Sequence, residues 1–212
     1  MGARADNFDK PWPGAGTGGS PALDFVNTLD WRGRVPPVEM LNGFPDLVRW
    51  ARTVAILEAG EAAALRTWSE AHPRPAARAL AEAIAVREAI AEIVQAIVQD
   101  EAVPATPLAL LDQTCREALA LRTLRPAGAG AMWGWRAVDG AHPEPARPAL
   151  AVALDAARIL TSNERERVRS CGDPECGWYF LDTSRNQSRR WCNMQSCGNR
   201  NKVRRFYRRQ HG

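Results

Sequence analysis

Residues 171–200 read CGDPECGWYFLDTSRNQSRRWCNMQSCGNR. Cys171 and Cys176 form one C-x4-C pair and Cys192 and Cys197 a second, with fifteen residues between the pairs. Two close pairs separated by an intervening segment suit a tetrahedral four-thiolate zinc site, because each pair can turn a knuckle with both sulfurs facing one metal. Zn2+ fits thiolates in this geometry, although iron can take the same ligands. One structural zinc ion is therefore expected. Four protein ligands leave no open position for an activated water, so the site does not point to an enzyme. His72, His142 and His211 stand in no local relation to a cysteine, and no Cys–His nucleophile is indicated. Cys115, alone on an apolar helical face, is expected in the core.

Between the pairs, Trp178-Tyr179-Phe180-Leu181 has strand character and is expected to pair with Arg189-Arg190-Trp191 in a hairpin, with Thr183 to Ser188 as its turn. After Cys197, Asn199 is a suitable cap for a helix running to Arg209. At about 100° per residue, Val203, Phe206 and Tyr207 share one arc. Arg200, Arg204 and Arg208 form an adjacent stripe; Arg205 and Arg209 form the next, with Lys202 beside them. The apolar arc is expected to pack on the hairpin while the cationic arc faces phosphates or guanine edges.

Charge is distributed to match. The net charge of +4 conceals 12 basic and 5 acidic residues from Asn163 to Gly212, against 16 basic and 19 acidic in the rest. A basic tail on a mildly acidic body is the footprint of a polyanion-binding module joined to something else.

Upstream, residues 1–20 read as a flexible leader. Its Gly14–Gly19 run lacks the preceding strand and following lysine of a phosphate-binding loop. Leu23, Val26 and Leu29 in ALDFVNTLDWRG (residues 22–33) predict a short helix. Asp46 is expected to cap a helix to about Ala59, followed by helices over Glu61–Glu70, Pro75–Gln99 and Pro107–Leu119. Leu119–Leu124 and Met132–Val138 predict a β-hairpin around Pro126–Gly130, with Trp133 and Trp135 alternating as in a half-buried strand. A proline-rich loop, Pro143 to Pro148, precedes a last helix from Ala149 to Leu160. The expected fold is α+β and mainly α: a helical domain with a small β element over 21–163, then a four-cysteine finger of hairpin and helix over 164–212. Met1–Lys10 lacks an apolar core, and no apolar run is long enough to span a bilayer, so a cytoplasmic protein without a membrane partner is expected.

At these residues the chain resembles a known family. The run from Cys171 through WCNMQSCGNR to Arg209 resembles the CGNR zinc finger, named for the tetrapeptide at Cys197 to Arg200. ALDFVNTLDWRG and DLVRWA (Asp46 to Ala51) resemble the ABATE domain that precedes that finger in bacterial proteins. The resemblance implies a bacterial, stress-induced transcription regulator whose finger binds double-stranded DNA, with Cys171, Cys176, Cys192 and Cys197 as metal ligands. SRNQSRRWC (Ser184 to Cys192) also follows the family pattern, which adds Arg185, Arg189 and Arg190 to the expected basic surface.

The N-terminal domain is then expected to sense a small-molecule effector or to form a homodimer that pairs two half-sites. Asp24, Asn27, Asp30, Trp31 and Arg32 are its most conspicuous cluster, available either to a ligand or to bracing the first helix. Trp31, Trp50, Trp68, Trp133 and Trp135 serve as core anchors or as pocket lining. Two alternatives stay open for the finger. RNA binding would stack bases on Trp178, Tyr179, Phe180 and Trp191. A zinc-dependent protein-interaction module would bind DNA only weakly.

Overall fold

The computed structural model describes residues 10–136 and 144–211; residues 1–9 of the expected leader, and Ala137, Val138 and Pro143 of the expected strand and loop, lie outside the described residues. The chain forms α1 (Pro21–Val26), β1 (Leu29–Asp30), β2 (Val38–Glu39), α2 (Phe44–Thr53), α3 (Ala59–Ala71), α4 (Pro73–Val98), α5 (Ala105–Ala120), β3 (Arg122–Ala127), β4 (Gly130–Trp135) and α6 (Arg147–Leu160). The finger follows as a 3-10 turn (Asn163–Arg167), β5 (Val168–Ser170), β6 (Tyr179–Leu181), a π-helical turn (Met194–Gly198) and α7 (Asn199–His211). The sheets are antiparallel pairs, β1–β2, β3–β4 and β5–β6. The fold is mainly helical with small β elements, as the periodicity predicts. Among the described residues no helix is long and apolar enough to cross a membrane.

The core is built around α4. Its alanine-rich sequence favours helix, and prolines occupy its first turn, where their missing N–H has no intrahelical partner to lose. Ile90, Ile93 and Val94 are buried, and the helix touches α1, α2, α3, α5, α6 and β5. Trp50 of α2 lies fully inside, its ring 4.7 Å from Phe25 of α1. Trp50 is thus a core anchor, while Trp68 is only partly buried against the core.

Several boundaries move for local reasons. α1 ends at Val26, well before Gly33: the Thr28 hydroxyl donates to Phe25 O, while Thr28 O accepts from Met40 N, which draws the chain into β1. Asp46 does not cap α2; Gly43 holds that position, and Asp46 accepts from Asn42 N within the first turn. α3 instead carries a capping box between Glu58 and Glu61. The β3–β4 hairpin turns tightly after Ala127, and α5 takes the residues up to Ala120. Trp133 is 55% exposed rather than half-buried, and Trp135 lies under the guanidinium groups of Arg122 and Arg147.

Residues 10–20 are packed against the rest. Trp12 is buried, its N–H donates to Thr53 Oγ1, and Arg49 stacks over its ring. Gly18 O then accepts from Leu181 N, which ties this segment to the finger.

One ion network lies inside the body. Arg87 of α4 is 2% exposed and meets Glu39 at 2.6 Å, Glu88 at 2.7 Å and Thr28 Oγ1 at 3.2 Å. Burial opposes its charge, but Glu39 and Glu88 outweigh that and hold the guanidinium above its ordinary pKa. Arg87→Ala removes the buried guanidinium, leaves its volume in the core unfilled and deprives the partly exposed Glu39 of its ion-pair partner, so it is expected to lose about 1–3 kcal/mol of stability in urea unfolding. Burial also opposes ionisation of Glu88, yet Arg32 and Arg87 hold its carboxyl below the ordinary 4.5. A depressed pKa gives stability present above the unfolded value and lost as pH falls through the folded one. Urea titrations from pH 7 to pH 3 should therefore show a shallower acid decline for Glu88→Gln than for the native chain.

Candidate metal centre

The four cysteine sulfurs all lie within 4.8 Å of one another, and all four residues are buried. Cys192 Sγ is 3.6 Å from both Cys176 Sγ and Cys197 Sγ. Zn–S bonds of about 2.3 Å set tetrahedral S···S edges of about 3.8 Å, so the spacing fits one zinc ion. The donors around the sulfurs fit it too. Cys171 Sγ accepts from the backbone N–H groups of Cys192 and Asp173, and Cys176 Sγ from that of Trp178. Arg200 Nη2 lies 3.4 Å from Cys197 Sγ. These groups favour thiolate over thiol. The thiols nevertheless oppose joint ionisation. Hydrogen bonds from Cys176 and Cys192 pull Cys171 far down, the same contacts push Cys176 and Cys192 up, and burial pushes Cys197 up. A dication is what lets four adjacent thiolates coexist. Its chemistry here is structural.

The segment between the pairs differs from the expected hairpin. β6 does pair, but with β5 from before the first cysteine, in the register Val168↔Leu181 and Ser170↔Tyr179. Arg189–Trp191 runs alongside instead, touching the knuckle through Gly172 N to Arg190 O. Asp182 shapes the loop by accepting from Ser184 N, Ser184 Oγ and Arg189 N. Arg189 is consequently an internal brace: it stacks 4.2 Å from the Phe180 ring and donates to Trp191 O, Cys192 O and Thr17 O. Arg185 and Arg190 are exposed.

The helix α7 presents the opposite face from the one expected. Asn199 does not cap it; Asn193 caps the preceding π-helical turn by accepting from Gln195 N and Ser196 N. Arg200 and Arg204, one turn apart, face inward. Arg200 Nε is 3.2 Å from Asp173 Oδ2, Arg204 Nη1 is 3.2 Å from Asp173 Oδ1, and Arg204 Nη2 is 2.6 Å from Glu175 Oε1. Asp173, fully buried in the first knuckle, therefore determines which side of the helix docks. Val203, Phe206 and Tyr207, expected to be buried against the finger, are 53–58% exposed. Lys202, Arg205, Arg208 and Arg209 are exposed with them.

The N-terminal cluster lies at the seam between body and finger. Asp24 accepts from Gly16 N and Gly18 N, and burial raises its pKa against those bonds. Asn27 bonds both the N–H and the C=O of Tyr179 at 2.9 Å. Asp30 accepts from Trp31 N, Trp31 stacks with Arg200, and Arg32 pairs with Glu88. Each is engaged within the protein. The cysteine spacing does not single out Asp173 and Glu175. Their signal is the acidic pair inside C-G-D-P-E-C, complementary to Arg200 and Arg204 at i, i+4.

Comparison with known families agrees with this architecture. The ABATE family model, described as "Putative stress-induced transcription regulator", matches residues 19–163, and the CGNR zinc finger model matches residues 167–210. No curated protein matches the chain.

Structural zinc in finger peptides is worth about 10–16 kcal/mol. Elemental analysis should find one zinc per chain and none in Cys192→Ser. A strong chelator should release amide protection over residues 168–211 while leaving the α4-centred core folded. Retention of finger protection without metal would contradict a zinc-organised fold.

Proposed function

Since the chain belongs to the ABATE family and ends in a CGNR zinc finger, we propose that it is a transcription regulator that grips duplex DNA with the outer face of α7. The observation that carries this reading is charge: no acidic residue follows Asp182, while Lys202, Arg205, Arg208 and Arg209 stand exposed on the helix. Such a face neutralises phosphates and releases their counterions. Arg200 and Arg204 act differently, orienting the helix through Asp173 and Glu175. Arg185 and Arg190 extend the cationic surface from the loop before Cys192, and Arg189 supports that loop from within.

The RNA alternative needs open aromatic platforms. Phe180 is fully buried beneath Arg189, and Trp178 and Tyr179 are partly buried. This weighs against base stacking on that segment. A protein-interaction role has one observation in its favour, the exposed Val203, Phe206 and Tyr207.

Fluorescence anisotropy of the zinc-loaded protein on random duplex DNA, over a salt series, separates these readings. DNA gripping predicts a log–log slope near −0.9 per neutralised phosphate, shallower by about 2 in the double variant Arg205→Gln/Arg209→Gln. No binding at low salt would sink the DNA reading. Unchanged DNA affinity in Phe206→Ala/Tyr207→Ala, with loss of a captured protein partner, would favour the second.

A further inference from the structure

Trp31 holds an unusual position. Its backbone is left-handed, with φ at 55°, a conformation that disfavours every side chain except glycine's hydrogen. A large indole nevertheless stands there, and two guanidinium groups meet its ring. The Arg34 guanidinium lies 3.5 Å from the ring centroid, and Arg200, from the start of α7, lies 4.4 Å from it. Both contacts are cation–π stacks. Arg34 also binds Glu175 at 2.6 Å, and Glu175 in turn binds Arg204. The loop therefore reaches both inward-facing arginines of α7, one through a ring and one through a carboxylate.

The backbone fits as closely as the side chains. A Cβ on Gly33 would meet Pro174 O at 2.0 Å, and one on Gly177 would meet Arg32 Cβ at 2.6 Å. Gly177 also has φ at 67°. Loop 31–34 and the first zinc knuckle thus lie in direct contact. On its other side the loop is fixed to the body: Arg32 donates to Val26 O and forms two bonds to Glu88, which pairs with buried Arg87 and, through it, Glu39. Ion pairs thus tie the loop to the middle of α4 through Arg32, and stacks and an ion pair tie the same loop through Trp31 and Arg34 to the arginines of the helix that carries the exposed cations.

We infer that Trp31 and Arg34 are positioning residues through which the N-terminal domain sets the orientation of α7, so that finger and body act on DNA as one coupled unit. The consequence for affinity rests on the DNA reading above; the orientation of the helix does not. The knuckle holds Arg200 and Arg204 through Asp173 and Glu175, and the loop adds a second hold on the same region, through the Trp31 ring on Arg200 and through Arg34 on Glu175. Coupling is reciprocal: duplex binding to α7 should slow amide exchange in residues 31–34 and around Glu88.

The experiment uses full-length, zinc-loaded protein in four forms: native, Trp31→Leu, Trp31→Phe and Arg34→Gln. Hydrogen exchange over residues 199–211, zinc content and duplex affinity are read on each. Trp31→Leu and Arg34→Gln should each speed exchange in α7 and weaken duplex binding about tenfold, within the usual range for coupled sites, with one zinc still bound. Trp31→Phe keeps an aromatic face and should restore both toward native. Unchanged exchange and affinity in both Trp31→Leu and Arg34→Gln would overturn the proposal. If Trp31→Leu loses zinc, Arg34→Gln, altered at an exposed side chain, decides alone. Native protein that binds no duplex, yet shows faster α7 exchange in the variants, would sink the DNA reading and uphold the positioning role.

Discussion

Four thiolates within van der Waals reach of one another are electrostatically unsustainable without a cation among them, and that constraint organises the C-terminal quarter of the chain. The finger has little apolar core of its own: beyond the cysteines, Phe180 is the only buried residue of its cluster, with Trp178 and Trp191 partly buried beside it. A cluster of that size cannot by itself order a segment of more than forty residues. Zinc supplies the missing cohesion and fixes the knuckle, which in turn places Asp173 and Glu175 where α7 must meet them. The direction of the helix, its cationic outer face and its contact with the body all descend from where those sulfurs converge.

The sequence makes the metal centre legible because ligand chemistry is short-range: four cysteines in two pairs leave few alternatives. The helical body is legible too, since α4 and α6 carry long apolar stripes. The strand pairing in the finger is not, because β6 finds its partner in Val168–Ser170, upstream of the first cysteine, where three residues give no periodic signal. The faces of α7 are the clearest case of tertiary override. Val203, Phe206 and Tyr207 look like a packing stripe on a helical wheel. Two buried or half-buried carboxylates in the knuckle attract Arg200 and Arg204 instead, and an ion pair beside a desolvated acid outweighs a modest apolar contact.

The same reasoning explains why ALDFVNTLDWRG reads as a conspicuous motif. Its polar side chains are concentrated in a short stretch, which invites a ligand-binding interpretation. In the fold they perform separate tasks along one seam: Asp24 orders the glycine-rich approach, Asn27 joins β6, Trp31 meets α7, and Arg32 reaches the network inside the body. A motif can be dense in polar groups because it borders several elements at once, each with backbone groups to satisfy.

The way Asn27 meets Tyr179 has a further consequence. Phe180 points its backbone groups toward β5, as the bonds of the flanking residues, from Cys171 N to Trp178 O and from Asp182 N to Arg167 O, require. Tyr179 and Leu181 therefore present theirs to the other side, which in a two-stranded sheet is an open edge. The carboxamide of Asn27 receives and donates there as a peptide group would, and Gly18 O takes the N–H of Leu181. The body thus stands in as a third strand without being one. An edge closed in this way offers no template to a passing chain, and on the β6 side the small metal-held sheet is shielded from the intermolecular strand pairing to which exposed edges are prone.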